Sequence, residues 1–241
     1  AERHGIPKYY VDPYKMLEEE KPDIISVCTP NAYHKEYTLA GFRVGCHVVC
    51  EKPVAVTCAD AEEMFNAAEK AGKHLFVIQS LRFTGNFKAA AGLAKSGCLG
   101  DIYYADLNLV RRRGVPRWGM FHMAKENVGG AFCDLGVHMC DYLMSISGNP
   151  KMVSVSGSAV TRIVNKEKNI EFSNAESGAP TGLFTPRKFD MKEFDVEEFA
   201  NGYIRLENGM TVTFKISWAL NLPNSNTVSI CGDKGGLTIG D

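Results

Sequence analysis

The sequence predicts an α/β protein in two parts: a parallel sheet covered by helices over about the first 80 residues, then an α+β region built on a large, mainly antiparallel open sheet. Three observations carry this. Short apolar runs alternate with amphipathic helical stretches before Gln79, the period becomes strand-like after Gly97, and Asn208-Gly209 sits between two alternating runs as a hairpin signal. The domains are therefore set at 1–83 and 84–241.

Ile24 to Cys28 reads as a fully buried strand, stopped by Thr29, Pro30 and Asn31. Helical spacing resumes from Tyr33 to Val44, with Tyr37, Leu39, Ala40 and Val44 apolar. His47 to Cys50 is the next strand, ended by Glu51-Lys52-Pro53. The helix from Asp60 to Lys70 follows, with Ala61, Met64, Phe65 and Ala68 on its inner stripe. His74 to Gln79 is a third strand, and a helix from about Asn86 to Lys95 stops at Gly97. Strands are then expected at Ile102 to Arg113, Met152 to Val160, Tyr203 to Leu206 and Thr211 to Leu220. In the last, Val212, Phe214, Ile216 and Trp218 alternate with Thr211, Thr213, Lys215 and Ser217. One face of that sheet is apolar; the other is polar and flat, open to solvent or to a second subunit. Arg162 to Glu198 is too long and polar for an ordinary connection and reads as an excursion near the site or an interface.

Composition removes several functions. The 27 basic and 28 acidic side chains leave no broad basic field for nucleic acid, and no apolar run is long enough to span a bilayer. Cys28, Cys46, Cys50, Cys58, Cys98, Cys133, Cys140 and Cys231 include no C-x-x-C pair and read as small buried thiols in a reducing compartment. No basic start followed by an apolar stretch opens the chain, which favours a cytoplasmic location.

Ligands of open parallel sheets bind beyond the carboxyl ends of the strands. Two such ends are chemically loaded: Thr29-Pro30-Asn31 with His34, and Glu51-Lys52-Pro53. A turn beside a solvated lysine is the competing reading of each. A third feature enters a helix after Gly129-Gly130, where spacing puts Asp134, His138 and Asp141 on one face and Leu135, Met139, Tyr142, Leu143 and Ile146 on the inner stripe. A carboxylate beside an imidazole orients the ring and raises its basicity, which suits removal of a hydroxyl proton. An ordinary polar helix face is the competing reading. Two or three such ligands do not make a metal site, and none is expected. The Arg111-Arg112-Arg113 run is either a solvated edge or a clamp for a carboxylate, phosphate or polyol.

Together these motifs resemble the glucose-fructose oxidoreductase, inositol dehydrogenase and MocA-type (Gfo/Idh/MocA) family. The resemblance runs through Thr29-Pro-Asn-x-x-His34, Gly45-Cys-His-Val-Val-Cys-Glu-Lys-Pro53, Gln79-Ser-Leu-Arg-Phe83, Gly97-Cys-Leu-Gly-Asp-Ile102, the Gly-Gly entry to Asp134 and His138, and Asp195-Val-Glu-Glu-Phe199. Each motif is weak alone; their order and intervals are specific.

The resemblance implies a Rossmann-type nucleotide domain, NAD or NADP as cofactor, and a second domain that binds substrate and joins homo-dimers or homo-tetramers through its sheet. By position, Lys52 would touch substrate hydroxyl and nicotinamide, and Asp134 and His138 would bind substrate, His138 accepting the proton. Thr29, Pro30, Asn31, His34 and Glu51 would line the dinucleotide, with Arg82 and Trp118 near the nicotinamide and Arg113 near substrate. The implied activity is hydride transfer between nicotinamide and a secondary hydroxyl of a sugar, cyclitol or polyol. An NAD-dependent redox glycoside hydrolase and a non-catalytic sensor are the alternatives. The family's opening Gly-x-Gly-x-x-Gly turn, its discriminating residue for NAD or NADP and its closing strand and helix are not in the sequence, so the chain is expected to be truncated at both ends, lacking roughly 30 or more residues, at least one βαβ unit, at the start.

Overall fold

Three short strands, β1 (Ile24–Val27), β2 (His47–Cys50) and β3 (Leu75–Val77), pair in parallel in chain order. The helices α2 (His34–Arg43) and α3 (Cys58–Ala71) make the crossovers, and α1 (Pro13–Glu20) precedes them. Asp12 caps α1, accepting from the Tyr14 and Lys15 amides. Thr57 caps α3 by accepting from the Asp60 amide, and Gly72 ends it in the left-handed conformation. This computed structural model describes residues 4–164, 166 and 190–240, and the chain forms two units, Ala1–Ile78 and Gln79–Asp241.

In the first unit, crossovers of one hand that step in one direction put both helices on one side of the sheet. Val27, Val48 and Cys50 therefore share a core with Phe42 of α2 and Met64 and Ala68 of α3. The opposite side carries Ile24 and Phe76, at 60% and 53% exposure. This corrects the expectation of a fully buried first strand: β1 is the sheet's edge and only its alternate residues meet a helix. Phe65, expected on the inner stripe, is also exposed, because the contact stripe of α3 is the narrower Met64–Ala68 row.

The second unit is a six-stranded sheet in the order β5-β6-β7-β4-β8-β9. Its strands are β4 (Ile102–Val110), β5 (Met152–Val160), β6 (Phe199–Leu206), β7 (Thr211–Ser217), β8 (Ser225–Gly232) and β9 (Gly236–Gly240). All neighbours are antiparallel except the central pair β4 and β7. Val212, Phe214, Ile216 and Trp218 are buried as their alternation requires, and they pack with α4 (Gly85–Lys95) and α6 (Val137–Ser147). Asn208-Gly209 closes the β6–β7 hairpin. The Gly209 amide donates to Leu206 with φ +85°, a left-handed position after the turn rather than a two-residue loop.

Several boundaries differ from expectation. β6 begins at Phe199 rather than Tyr203, since Asn201 and Gly202 hide an alternation that pairing with β5 and β7 sustains. β4 and β7 end at Val110 and Ser217, beyond which only an isolated bridge, Arg113 to Ala219, continues. β8 and β9 were not anticipated: their Asn and Gly content is low in strand propensity, and pairing of β8 onto β4 and of β9 onto β8 overrides it. Most of the Arg162–Glu198 excursion lies outside the described residues.

Candidate active site

In the first unit, the carboxyl ends of β1 and β2 carry the predicted loops. His34, fully buried at the start of α2, has its Nδ1 2.7 Å from the Pro53 carbonyl and its Nε2 3.0 Å from the Thr29 carbonyl. One imidazole thus ties the Thr29-Pro30-Asn31 loop to the Glu51-Lys52-Pro53 loop. Asn31 is also buried, while Glu51, Lys52 and Pro53 are half-buried. The Lys52 amide donates to Glu51 Oε2 at 3.3 Å. The Thr29 hydroxyl is buried and has no hydrogen-bond partner among the described residues.

In the second unit, the Gly-Gly entry is built by Glu197. Its carboxylate accepts from the Gly130 amide at 2.8 Å and the Phe132 amide at 2.9 Å, and its main-chain carbonyl accepts from the Ala131 amide at 3.0 Å. Three consecutive helix-entry amides are satisfied by one residue. A Cβ on Gly130 would lie 1.9 Å from the Glu197 carbonyl oxygen, so only glycine allows this approach. The neighbouring acids work alike. Asp195 accepts from the Ala124 amide at the start of α5 (Ala124–Asn127), and buried Glu198 accepts from the Arg162, Ile163 and Val164 amides at 2.7, 2.6 and 2.8 Å.

Past this entry the backbone makes a π-turn, Phe132–Gly136, before α6. Such widened turns favour functional positions. Asp134 lies in it, and its Oδ2 accepts from the indole Nε1–H of Trp218 at 3.0 Å. Trp218 immediately follows β7 and Arg111 immediately follows β4, so both leave the same rim of the sheet. Burial lowers the pKa of the Arg111 guanidinium from its ordinary value, and the negative charge of Asp134 opposes that fall. His138 follows on α6, half-buried, with Nδ1 out of solvent. Asp141 is engaged elsewhere: Arg82 grips it with Nε at 2.8 Å and one terminal nitrogen at 2.6 Å. Leu135, Met139, Tyr142, Leu143 and Ile146 are all buried, as the inner stripe requires. Arg113 donates to the Arg112 carbonyl and to Asn221, and Trp118 packs edge-on against Phe121 at 4.7 Å. Among the described residues no group of three or more His, Cys, Asp or Glu side chains could hold a metal ion, and no helix is long and apolar enough to cross a membrane.

Comparison with known proteins agrees with this layout. Residues 1–79 match the model of an oxidoreductase family with an NAD-binding Rossmann fold, and residues 87–238 match the GFO/IDH/MocA C-terminal domain. The chain belongs to the Gfo/Idh/MocA family. D-glucoside 3-dehydrogenase of Escherichia coli is 35% identical over 99% of this chain and 65% of its own length. Myo-inositol 2-dehydrogenase of Thermotoga maritima is 30% identical over 61% of this chain and 42% of its own. The structure of an aldose-aldose oxidoreductase from Caulobacter crescentus, complexed with glycerol, aligns with a TM-score of 0.77 at 25% identity, covering 99% of this chain and 64% of the other. The chain thus spans less than two thirds of the length of these relatives.

As a Gfo/Idh/MocA member the chain has a Rossmann-type first unit, and the rim of that unit suits a dinucleotide. The buried Thr29 hydroxyl has no hydrogen-bond partner among the described residues, and Asn31, Glu51 and Lys52 offer donors and acceptors beside it in sequence. His34, in contrast, serves the chain itself. Two residues that sequence reasoning passed over matter in the second unit, Glu197 and Trp218, beside Arg111, which the sequence offers as part of a solvated edge or a clamp. Glu197 stands within a quoted motif without a role, and Trp218 reads as one more apolar strand residue. A polar atom on an apolar side chain, the indole N–H, was the available signal. The cysteine reading also needs correction. Cys46 and Cys50 are buried, but Cys28, Cys58 and Cys98 are exposed, because they sit just past a strand, at a helix start and in a turn. Burial pushes the Cys50 and Cys140 thiols up to about 11.

Proposed function

We propose that the full-length protein is an NAD(P)-dependent oxidoreductase acting on a secondary hydroxyl of a sugar, cyclitol or related polyol. The observation that carries the reading is the carboxylate and imidazole pair of Asp134 and His138 at a π-turn and helix start, in a chain of the Gfo/Idh/MocA family. Thr29, Pro30, Asn31, Glu51 and Lys52 would hold a nicotinamide dinucleotide, which would supply the acceptor for hydride. The chain's residues do the rest. Lys52 donates to the reacting hydroxyl oxygen and stabilises the charge that develops there. A ring nitrogen of His138 takes the hydroxyl proton. Asp134, with Arg113, holds neighbouring hydroxyls so that the reacting carbon is presented in one orientation.

The activities for which the relatives are named support this class of substrate: a D-glucoside for one, myo-inositol for another. The flat side of the second sheet, with Tyr104, Asp106, Asn108 and Thr213 joined by side-chain hydrogen bonds, supports a homo-dimer or homo-tetramer. Nicotinamide absorbance across glucosides, aldoses and cyclitols, with NAD and NADP in separate arms, tests the activity on the full-length protein. Lys52→Met and His138→Ala are each expected to lower turnover at least about 100-fold. Normal turnover in both variants overturns the roles, and absence of any nicotinamide change with wild type overturns the function. Release of an aglycone without net nicotinamide change would indicate redox glycoside cleavage instead.

A further inference from the structure

We propose that Trp218 is a positioning residue for the reaction: its indole N–H holds the Asp134 carboxylate in the orientation that substrate meets. The role rests on the oxidoreductase reading and deepens it.

Asp134 sits in a π-turn, where the chain is wider than an α-helix and a short side chain is not confined by the turns on either side. The Trp218 indole bond restrains its χ angles. Trp218 can do so because its own position is over-determined. Its ring is fully buried and packs edge-on against Phe194, its amide donates to the Glu198 carbonyl at 2.8 Å, and its carbonyl accepts from the Gly114 amide at 2.7 Å. A ring so held delivers its one donor to a fixed point, and Asp134 Oδ2 lies there at 3.0 Å. A carboxylate has about four acceptor positions on two oxygens, and the indole bond occupies one of them. Trp is a donor only, so it cannot compete with the carboxylate for a sugar hydroxyl's proton. A buried indole that faced an apolar group instead would leave its N–H unsatisfied, so the pairing serves both partners.

The test uses full-length enzyme on the sugar that gives best turnover. Trp218→Phe keeps an aromatic ring and deletes the donor. A benzothiophene analogue of tryptophan, incorporated at position 218, keeps the whole shape and replaces N–H with sulfur, so it serves if the Phe variant fails to fold. Loss of one hydrogen bond to a charged group is expected to lower kcat/KM for the sugar on the order of 10- to 100-fold. The dissociation constant for NAD(H), read by fluorescence, is expected to change by less than about 2-fold, which a general loosening of the fold would not produce. In an Asp134→Asn background the same change at position 218 is expected to cost less than about 3-fold, because the partner charge is already gone. Wild-type kcat/KM in either donor-less protein, or equal losses in both backgrounds, overturns the role while leaving the oxidoreductase reading intact. An inactive wild type across the whole panel overturns both.

Discussion

The two regions that carry the candidate chemistry are held in opposite ways. At the rim of the first unit, one buried imidazole grips two main-chain carbonyls, and the polar side chains of Thr29, Glu51 and Lys52 are carried on the loops so fixed. At the helix entry of the second unit, the side chains themselves are gripped: Asp134 by Trp218 and Asp141 by Arg82, while Glu197 fixes the backbone beneath them. The first arrangement fixes a frame through its backbone; the second aims individual side chains.

The difference can be broken most severely at His34. His34→Ala removes a fully buried ring together with the hydrogen bond it donates to a main-chain carbonyl, and is expected to destabilise the first unit by about 2–4 kcal/mol in chemical denaturation. If the melting midpoint is unchanged, the loops do not depend on that grip. In the second unit the corresponding change is Gly130→Ala, which drives a methyl into the Glu197 carbonyl and is expected to cost about 1–3 kcal/mol, with a fall in turnover because the backbone before Asp134 must move. Full turnover would show that the entry tolerates displacement.

A pH test separates the cores. Burial keeps the Cys50 thiol protonated in the folded state up to about 11, above the 9.0 of a free thiol, so the folded chain holds a proton that the unfolded chain releases. Stability is therefore unaffected below about pH 9 and falls by about 1.4 kcal/mol per pH unit between there and pH 11 for each such thiol. Cys50→Ala should flatten the alkaline slope of the first unit, as measured by urea midpoints from pH 8 to 11; an unchanged slope excludes the thiol as its source. The smallest effect is expected at Arg82→Lys, which replaces the two-point grip of half-exposed Arg82 on Asp141 by a single bond and should cost under about 1 kcal/mol.

Much of the first unit was legible because its helices and strands announce themselves locally: the Thr57 cap, Gly72 stop and apolar run at His47–Cys50 are contiguous in sequence. The second unit was legible where alternation was clean, in β7, and not where strands of Ser, Thr and Asn are recruited by a neighbour, in β8 and β9. The candidate residues Asp134 and His138 could be picked from their spacing. Their supports could not, because Trp218 and Asp134 are joined across 84 positions of chain and Glu197 and Gly130 across 67. Contacts at such separations leave no local period to read.

The parallel pairing of β4 with β7, alone in an otherwise antiparallel sheet, has a consequence for geography. Were those neighbours reversed, the chain leaving one strand would emerge a full strand length from the chain leaving the other, about 20 Å for the seven residues of β7. A guanidinium and an indole could then never attend the same carboxylate. The one exception to the sheet's alternation is what lets a cation and a donor from distant sequence arrive as next-door neighbours.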